Sequence, residues 1–263
     1  MTTVPGLKNT DDSGKARAEA KESTMRYELY YWPGIQGRGE FVRLALEAAA
    51  ADYIDVARLS GRGKGVDAML GLMDESDREP FAPPFLRAGK LIIAQTANIL
   101  QYLGPRLGLV PDSEPARLWA HQLQLTVTDF VSEIHDTHHP ISSSLYYEDQ
   151  RREARARTGY FLSERLPKYL GYFERVIDHN ANGRGHILGR SLSYVDLSMF
   201  QLLTGLRYAF PESMSRRKRN YPKLTALHDK VIANANVSAY LDSERRIAFN
   251  EDGVFRCYPE LEK

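Results

Sequence analysis

A single cysteine, Cys257, occurs among 263 residues, so no disulfide forms within the chain and no cysteine-based metal cluster is possible. That scarcity fits a reducing compartment. Nothing near Cys257 looks like a partner base or a helix N-terminus, which argues against a catalytic thiol. No stretch approaches the roughly 18 uninterrupted apolar residues of a membrane span. Charge of one sign is not in excess either. Thirty-five Lys and Arg face thirty-four Asp and Glu, for a net charge of +1, and this leaves no electrostatic footprint for nucleic acid. The short basic run Arg216-Arg217-Lys218-Arg219 reads as a solvated loop or helix end. The first 24 residues are polar and have no apolar segment of the secretory kind, so residues 1–24 read as a disordered extension.

What is present is a full complement of core residues, 43% hydrophobic, enough for a packed interior without cross-links. One stretch organises the chain: Tyr27 to Arg43, Y-E-L-Y-Y-W-P-G-I-Q-G-R-G-E-F-V-R. Its β-favouring aromatics predict a strand over 27–31. Pro33-Gly34 breaks that strand, and the spacing of Phe41, Leu44, Ala45 and Ala48 predicts a helix over 39–50. A strand ending in a glycine-bearing loop that feeds a helix directs backbone N–H groups at a site for an anion or a thiolate. Further on, the pattern predicts a strand over 52–57 and a short helix over 66–73. A hairpin follows, turning at Ala88-Gly89-Lys90, and then a helix from Thr96.

The order β-α-β-α-β-β-α over about 80 residues describes a small α/β domain, residues 25–104. Gly104 to Pro115 carries three prolines and two glycines and reads as a linker, residues 105–115. Beyond it only helical periodicity remains, so residues 116–263 read as an all-helical domain with an irregular tail. Pro167 is expected to interrupt or kink the stretch from Tyr147 to His179. Ser193-Tyr194-Val195-Asp196 has the form of a capping box ahead of an apolar helix.

Four motifs in this order resemble those of a cytosolic glutathione transferase of the tyrosine type, similar to the sigma, pi and mu classes. The resemblance covers about Met25 to Glu260. It rests on Tyr31-Trp32 with Gly37, Arg38 and Arg43, on Ala82-Pro83-Pro84-Phe85-Leu86, on Gln95-Thr96, and on the capping box. It implies a thioredoxin-like N-terminal domain followed by a helical one, glutathione as co-substrate, and conjugation of its sulfur to small hydrophobic electrophiles. It also implies a detoxifying, cytoplasmic homodimer with no nucleic-acid or membrane partner. Tyr31 would donate its hydroxyl proton to the glutathione sulfur. Trp32, Arg38, Lys64, Pro83, Pro84, Gln95 and Thr96 would bind the tripeptide, with Pro84 in the cis position. Asp129 would reach across the subunit interface. Arg38 has a second reading as a loop stabiliser or a solvated cation, and Asp129 as a solvated helix residue. Two departures from the pattern stand out: an extra loop residue around Gly34-Ile35, and Pro83, which has no N–H to offer the cysteinyl part of glutathione.

Tyr30 competes with Tyr31 for the working role, but neighbouring strand residues face opposite ways. His135, Asp136, His138 and His139 form a cluster, with His135 and His139 one helical turn apart. No third distal ligand follows and Pro140 closes the helix, so the cluster reads as lining the second-substrate cleft or capping the helix, and no metal is expected. Tyr146, Tyr147 and Tyr208 are further candidates for that cleft. Two other outcomes stay open: a glutathione-dependent isomerase, peroxidase or thioether-cleaving enzyme, and a non-enzymatic binding protein on the same fold.

Overall fold

Alternation sets the first element. In strand β1 (Tyr27–Tyr30), Tyr27 and Leu29 pack with Val42, Leu46, Leu86 and Ile99, whereas Tyr30 packs on the opposite face with Val56, Met69 and Phe85. The structure, a computed structural model, describes residues 26–180 and 182–263. The extension expected over residues 1–24 lies outside the described residues. β1 pairs in parallel with β2 (Tyr53–Asp55) and antiparallel with β3 (Phe85–Ala88), which pairs antiparallel with β4 (Leu91–Ala94), giving the order β2-β1-β3-β4. β2 is shorter than the strand predicted over 52–57, because Val56–Arg58 coils into a 3₁₀ turn. Gly89 supplies the positive φ of the hairpin turn.

Helix α1 (Gly39–Ala48) follows β1, α2 (Gly65–Asp74) follows β2, and α3 (Thr96–Arg106) follows β4. Every residue of α1 is buried. Val42 and Leu46 enter the sheet core, and Phe41, Leu44, Ala45 and Ala48 enter the helical core. The loop that precedes α1 is therefore held where the two cores meet.

α3 continues to Arg106 with Pro105 in its last turn, past the point where the linker was expected to begin. Packing accounts for this: a Cβ on Gly104 would lie 2.7 Å from the Tyr194 ring, so the glycine lets helix α7 (Tyr194–Ala209) sit directly against it. The linker is also fastened, with Leu109 and Val110 buried and the Tyr194 N–H donating to the Leu109 carbonyl at 2.9 Å.

The helical part comprises α4 (Glu114–His135), α5 (Arg151–Tyr160), α6 (Leu166–His179), α7, α8 (Pro211–Arg217), α9 (Pro222–Ile232) and α10 (Ala235–Leu241). Pro167 cannot donate to Ser163, and the backbone widens into a π turn over Phe161–Arg165 just ahead of it. The capping box of α7 is formed in both directions. Asp196 N–H donates to Ser193 Oγ at 3.2 Å, and Ser193 N–H donates to Asp196 Oδ2 at 2.8 Å. The basic run lies at a helix end, one of its two sequence readings, although helix α8 itself was not predicted, and Arg217 donates from there to the Leu162 carbonyl at 2.7 Å.

The C-terminal end of α4 is pinned by Glu133. Its carboxylate accepts a fork of bonds from Arg165 Nε and Nη2, and a further bond from the Tyr169 hydroxyl at 2.8 Å. Burial pushes the Glu133 carboxyl up, but the Arg165 and Tyr169 donors, with the Arg165 and Arg157 charges, outweigh it and hold the group below the ordinary carboxylate value. A depressed folded pKa means stability that is present above the unfolded pKa, about 4.3, and lost as pH falls through the folded one. Glu133→Gln should therefore cost on the order of 1–2 kcal/mol at pH 7. In urea melts across pH, the gap to wild type should close below roughly pH 4. A gap that stayed constant down to pH 3 would contradict this account.

Candidate active site

The turn after β1 brings Tyr31 beneath the loop that opens α1. Its side chain is buried, 4% exposed, and its hydroxyl oxygen accepts the backbone N–H of Arg38 at 2.9 Å. A Cβ on Gly37 would lie 2.0 Å from that oxygen, and one on Gly39 would lie 2.5 Å from the ring. Both glycines are required by the phenol they cover, and Gly37 also holds a positive φ. The loop's N–H groups were expected to face a bound thiolate directly. Instead Arg38 N–H points at the phenol oxygen, so the helix start acts on any ligand through Tyr31. Because that oxygen is already an acceptor, its own proton is left to donate outward. Burial pushes the Tyr31 phenol up, against the lowering effects of the Arg38 N–H and the Arg38 and Arg43 charges. The group therefore stays protonated through the neutral range.

Tyr30 faces the other side of the sheet, stacked on Phe85 with ring centroids 4.6 Å apart and donating to Glu28 at 2.7 Å. Arg38 bonds to Tyr31 and Thr96 to Arg38, and the cis Pro83–Pro84 bond comes just before Phe85, which pairs with Tyr30. Pro84 is buried and Pro83 half-buried. The sequence pattern makes Thr96 the N-cap of α3, but that position belongs to Gln95, which turns out of β4 with φ +69° and exposes its side chain. Thr96, one residue inside, directs its hydroxyl to the Arg38 carbonyl at 3.4 Å. Arg38, Phe41 and Thr96 face Gln124, Val127 and Thr128 of α4 across a narrow crevice. Trp32 lies exposed beside the loop, Lys64 is exposed at the start of α2, and Asp129 is exposed on α4. Larger hollows lie among the helices, for example one of about 300 Å³ lined by Leu170, Met214 and Tyr221, and share no residue with this site.

A second layer is built around Arg43, which the first motif includes, by residues that carry no readable signal in the sequence. The guanidinium of Arg43 is fully buried, 5.7 Å from the centre of the Tyr31 ring. It donates to Asp55 at 2.6 Å, to Glu40 at 3.3 Å, and to the Ile35 and Gln36 carbonyls. Glu40 also accepts from Tyr240 at 2.6 Å and from Arg246. Arg246 reaches Gln201 at 2.9 Å, and Gln201 in turn donates to Gln36 at 2.7 Å. Gln36 donates to the Ile247 carbonyl and Asn250 to the Gly34 carbonyl. The tail, irregular in its sequence pattern, is thus a strap over the loop that carries Gly34, where the extra residue was noted.

Of the cleft candidates, Tyr147 is a core residue. It is buried, stacked on Tyr258 at 3.8 Å, and bonded to Glu260. Tyr146 is exposed, and Tyr208 stacks on Phe249 of the tail at 4.8 Å. His135, His138 and His139 cluster at the end of α4. Burial lowers all three rings, His135 to about 4 and His138 to about 3, so they are uncharged at neutral pH.

Comparison with known proteins agrees with this architecture. The profile of the family "Glutathione S-transferase, C-terminal domain" matches residues 135–244. A glutathione S-transferase of Plasmodium falciparum is 26% identical over 226 residues, covering 84% of this chain and 97% of that protein. Glutathione S-transferase P 1 of Xenopus laevis is 27% identical over 223 residues, covering 84% and 93%. Among solved structures, the Pi-class glutathione S-transferase of Onchocerca volvulus superposes with a TM-score of 0.64 at 22% identity, covering 82% of this chain and 92% of that one. A shared helical-domain profile, relatives aligned over nearly their whole length, and a four-stranded sheet with a cis-proline turn joined to a helical part agree: over most of its length the chain is similar to glutathione S-transferases.

Proposed function

We propose that this chain activates glutathione as its thiolate by a hydrogen bond from the Tyr31 hydroxyl and adds the sulfur to small hydrophobic electrophiles. The observation that carries the reading is the Arg38 N–H donated to the Tyr31 oxygen at 2.9 Å, which orients the phenol as a donor. A free thiol of this kind has a pKa of about 8.5, and lowering it to about 6.5 takes roughly 2.7 kcal/mol. A hydrogen bond to the charged sulfur supplies about 1.5–3 kcal/mol, so one phenol accounts for most or all of the shift. The thiol proton leaves to water. The sulfur lone pair then forms the C–S bond as the electrophile's leaving group departs with its electron pair, or as an activated double bond takes up a proton.

Gln95 and Thr96 at the start of α3 suit the γ-glutamyl carboxylate, since a helix N-terminus favours an anion. Trp32, Arg38 and Lys64 border the remaining path of the tripeptide. The family's usual assembly is a homodimer, and α4 suits it: Leu118, Leu125 and Asp129 recur at helical spacing on one exposed face, and Phe81 is 92% exposed beside the sheet. A cytoplasmic location fits the scarcity of cysteine, and among the described residues no helix is long and apolar enough to cross a membrane.

The test is a spectroscopic titration of the thiolate of glutathione bound to the full chain, alongside turnover of a general aromatic electrophile. The bound thiol is expected to titrate well below 8.5. A protein that neither binds glutathione nor turns over any electrophile would be a binding protein of another kind. Pro83 gives a second measurement. Pro83→Val restores a backbone N–H beside the cysteinyl position, worth about 1 kcal/mol, and should tighten glutathione binding about fivefold by calorimetry. Unchanged or weaker affinity would mean the ligand does not bond there.

A further inference from the structure

The histidines at the end of α4 are placed by more than helical spacing. α4 stops at His135, and the chain continues in one further, tightened turn. The N–H groups of His138 and His139 both donate to the His135 carbonyl, at 3.2 and 3.1 Å. This extra turn brings in His138, which the one-turn spacing of His135 and His139 does not include. It is anchored on two sides: Thr137 Oγ1 donates to the Ile134 carbonyl at 2.6 Å, and Thr158 Oγ1 of α5 donates to the Thr137 carbonyl at 3.0 Å.

The three rings pack with centroids 4.8–5.1 Å apart. One ring nitrogen from each lies within 4.8 Å of the others, and the Nδ1 atoms of His138 and His139 are 2.5 Å apart. A tetrahedral ion with bonds of about 2.0–2.1 Å sets its nitrogens roughly 3.3 Å apart, so binding would replace the His138–His139 hydrogen bond and spread that pair by about 0.8 Å. His138 Nε2 lies 2.9 Å from the Val254 carbonyl. A carbonyl only accepts, so Nε2 carries the proton and Nδ1 presents its lone pair toward the cluster. That arrangement is the one that orients a ligating imidazole.

We propose that His135, His138 and His139 form a binding site for one divalent transition-metal ion of the zinc, copper or nickel type. Three imidazoles with no hard oxygen donor among them select such ions over magnesium or calcium. The site leaves a fourth position open. The charged groups around it are Arg38 from the β1–α1 loop, Arg256 from the tail, and Asp136, whose carboxylate lies 3.8 Å from Arg157. Two guanidiniums oppose a bare dication, so the fourth ligand is an anion or hydroxide. The charge of Arg38, whose backbone holds Tyr31, is felt at His135, but the metal affinity of the site does not depend on the thiolate chemistry.

The experiment is calorimetric titration of the full chain with Zn²⁺, with Co²⁺ as a spectroscopic probe. Wild type should take up one ion per chain and give the intense visible bands of four-coordinate Co²⁺. His135→Ala and His139→Ala should each weaken binding at least about tenfold while circular dichroism stays unchanged. These two positions carry the test because His138 is buried in the core. His179→Ala, at an exposed position on α6, should bind as wild type does. No saturable binding by wild type would overturn the proposal. So would equal binding by wild type, His135→Ala and His139→Ala, or loss of binding in His179→Ala alone.

Discussion

Replacing Tyr31 by phenylalanine is expected to lower kcat/KM for a general aromatic electrophile by about 10- to 100-fold at pH 6.5, the equivalent of the roughly 1.5–3 kcal/mol of one hydrogen bond to a thiolate. The ring, its burial and its cover of Gly37 and Gly39 are retained, so the stability cost should be confined to the lost acceptor of the Arg38 N–H, about 1 kcal/mol. The loss should depend on pH in a definite direction. Without the phenol the bound thiol titrates nearer its free value of about 8.5, and raising the pH then supplies the thiolate that the variant cannot stabilise. The ratio of wild type to variant should therefore fall steadily from pH 6.5 to pH 9. Tyr31 itself adds no basic limb over that range, because burial raises its own pKa above the ordinary value. Tyr30→Phe, on the opposite face and bonded to Glu28, should leave the pH profile unmoved. Full activity in Tyr31→Phe with loss in Tyr30→Phe would mean that the wrong tyrosine has been assigned.

The sequence made the scaffold legible because local chemistry and tertiary structure agree there. The alternation of β1, the Gly89 turn, and the reciprocal caps of Ser193 and Asp196 are short-range rules that the packed chain obeys. Reading stopped where long-range packing decides. The continuation of α3 through Pro105 depends on Gly104 meeting Tyr194, some ninety residues away. Thr96 looks like a cap, but the tight exit from β4 gives that place to Gln95 and frees the Thr96 hydroxyl for the Arg38 carbonyl. The tail has no periodicity, so nothing local marks Arg246 as the partner of a carboxylate on α1. The histidine cluster was visible as a set, but the proximity of its three rings was not, because spacing describes a regular helix and α4 ends at the first member.

Arg43→Met is expected to cost about 3–5 kcal/mol of stability, because it leaves Asp55 and part of Glu40 as buried charges without their main counterion. For a chain of this size that corresponds to a fall in Tm on the order of 10 °C. Methionine fills much of the arginine's volume, so the effect is electrostatic rather than a cavity. Lysine would not restore the native state, since one ammonium cannot serve Asp55, Glu40 and two carbonyls on the loop at once. Burial already pushes the Asp55 carboxyl up despite the Arg43 charge, and removing Arg43 raises it further. A carboxyl whose folded pKa exceeds its unfolded one penalises the fold as pH rises between the two values. The Arg43→Met deficit should therefore be largest at neutral pH and shrink on acidification toward pH 5. The double variant Arg43→Met/Asp55→Asn should recover part of the loss, a non-additivity that isolates the pair. Activity should fall too, measured at a temperature where the variant is folded. The Ile35 and Gln36 carbonyls lose their donor, and the face of Tyr31 loses the guanidinium 5.7 Å from its centre. If Arg43→Met melts with wild type and the double variant is no more stable than the single, then the buried ion pair is not what holds the Tyr31 loop to α1.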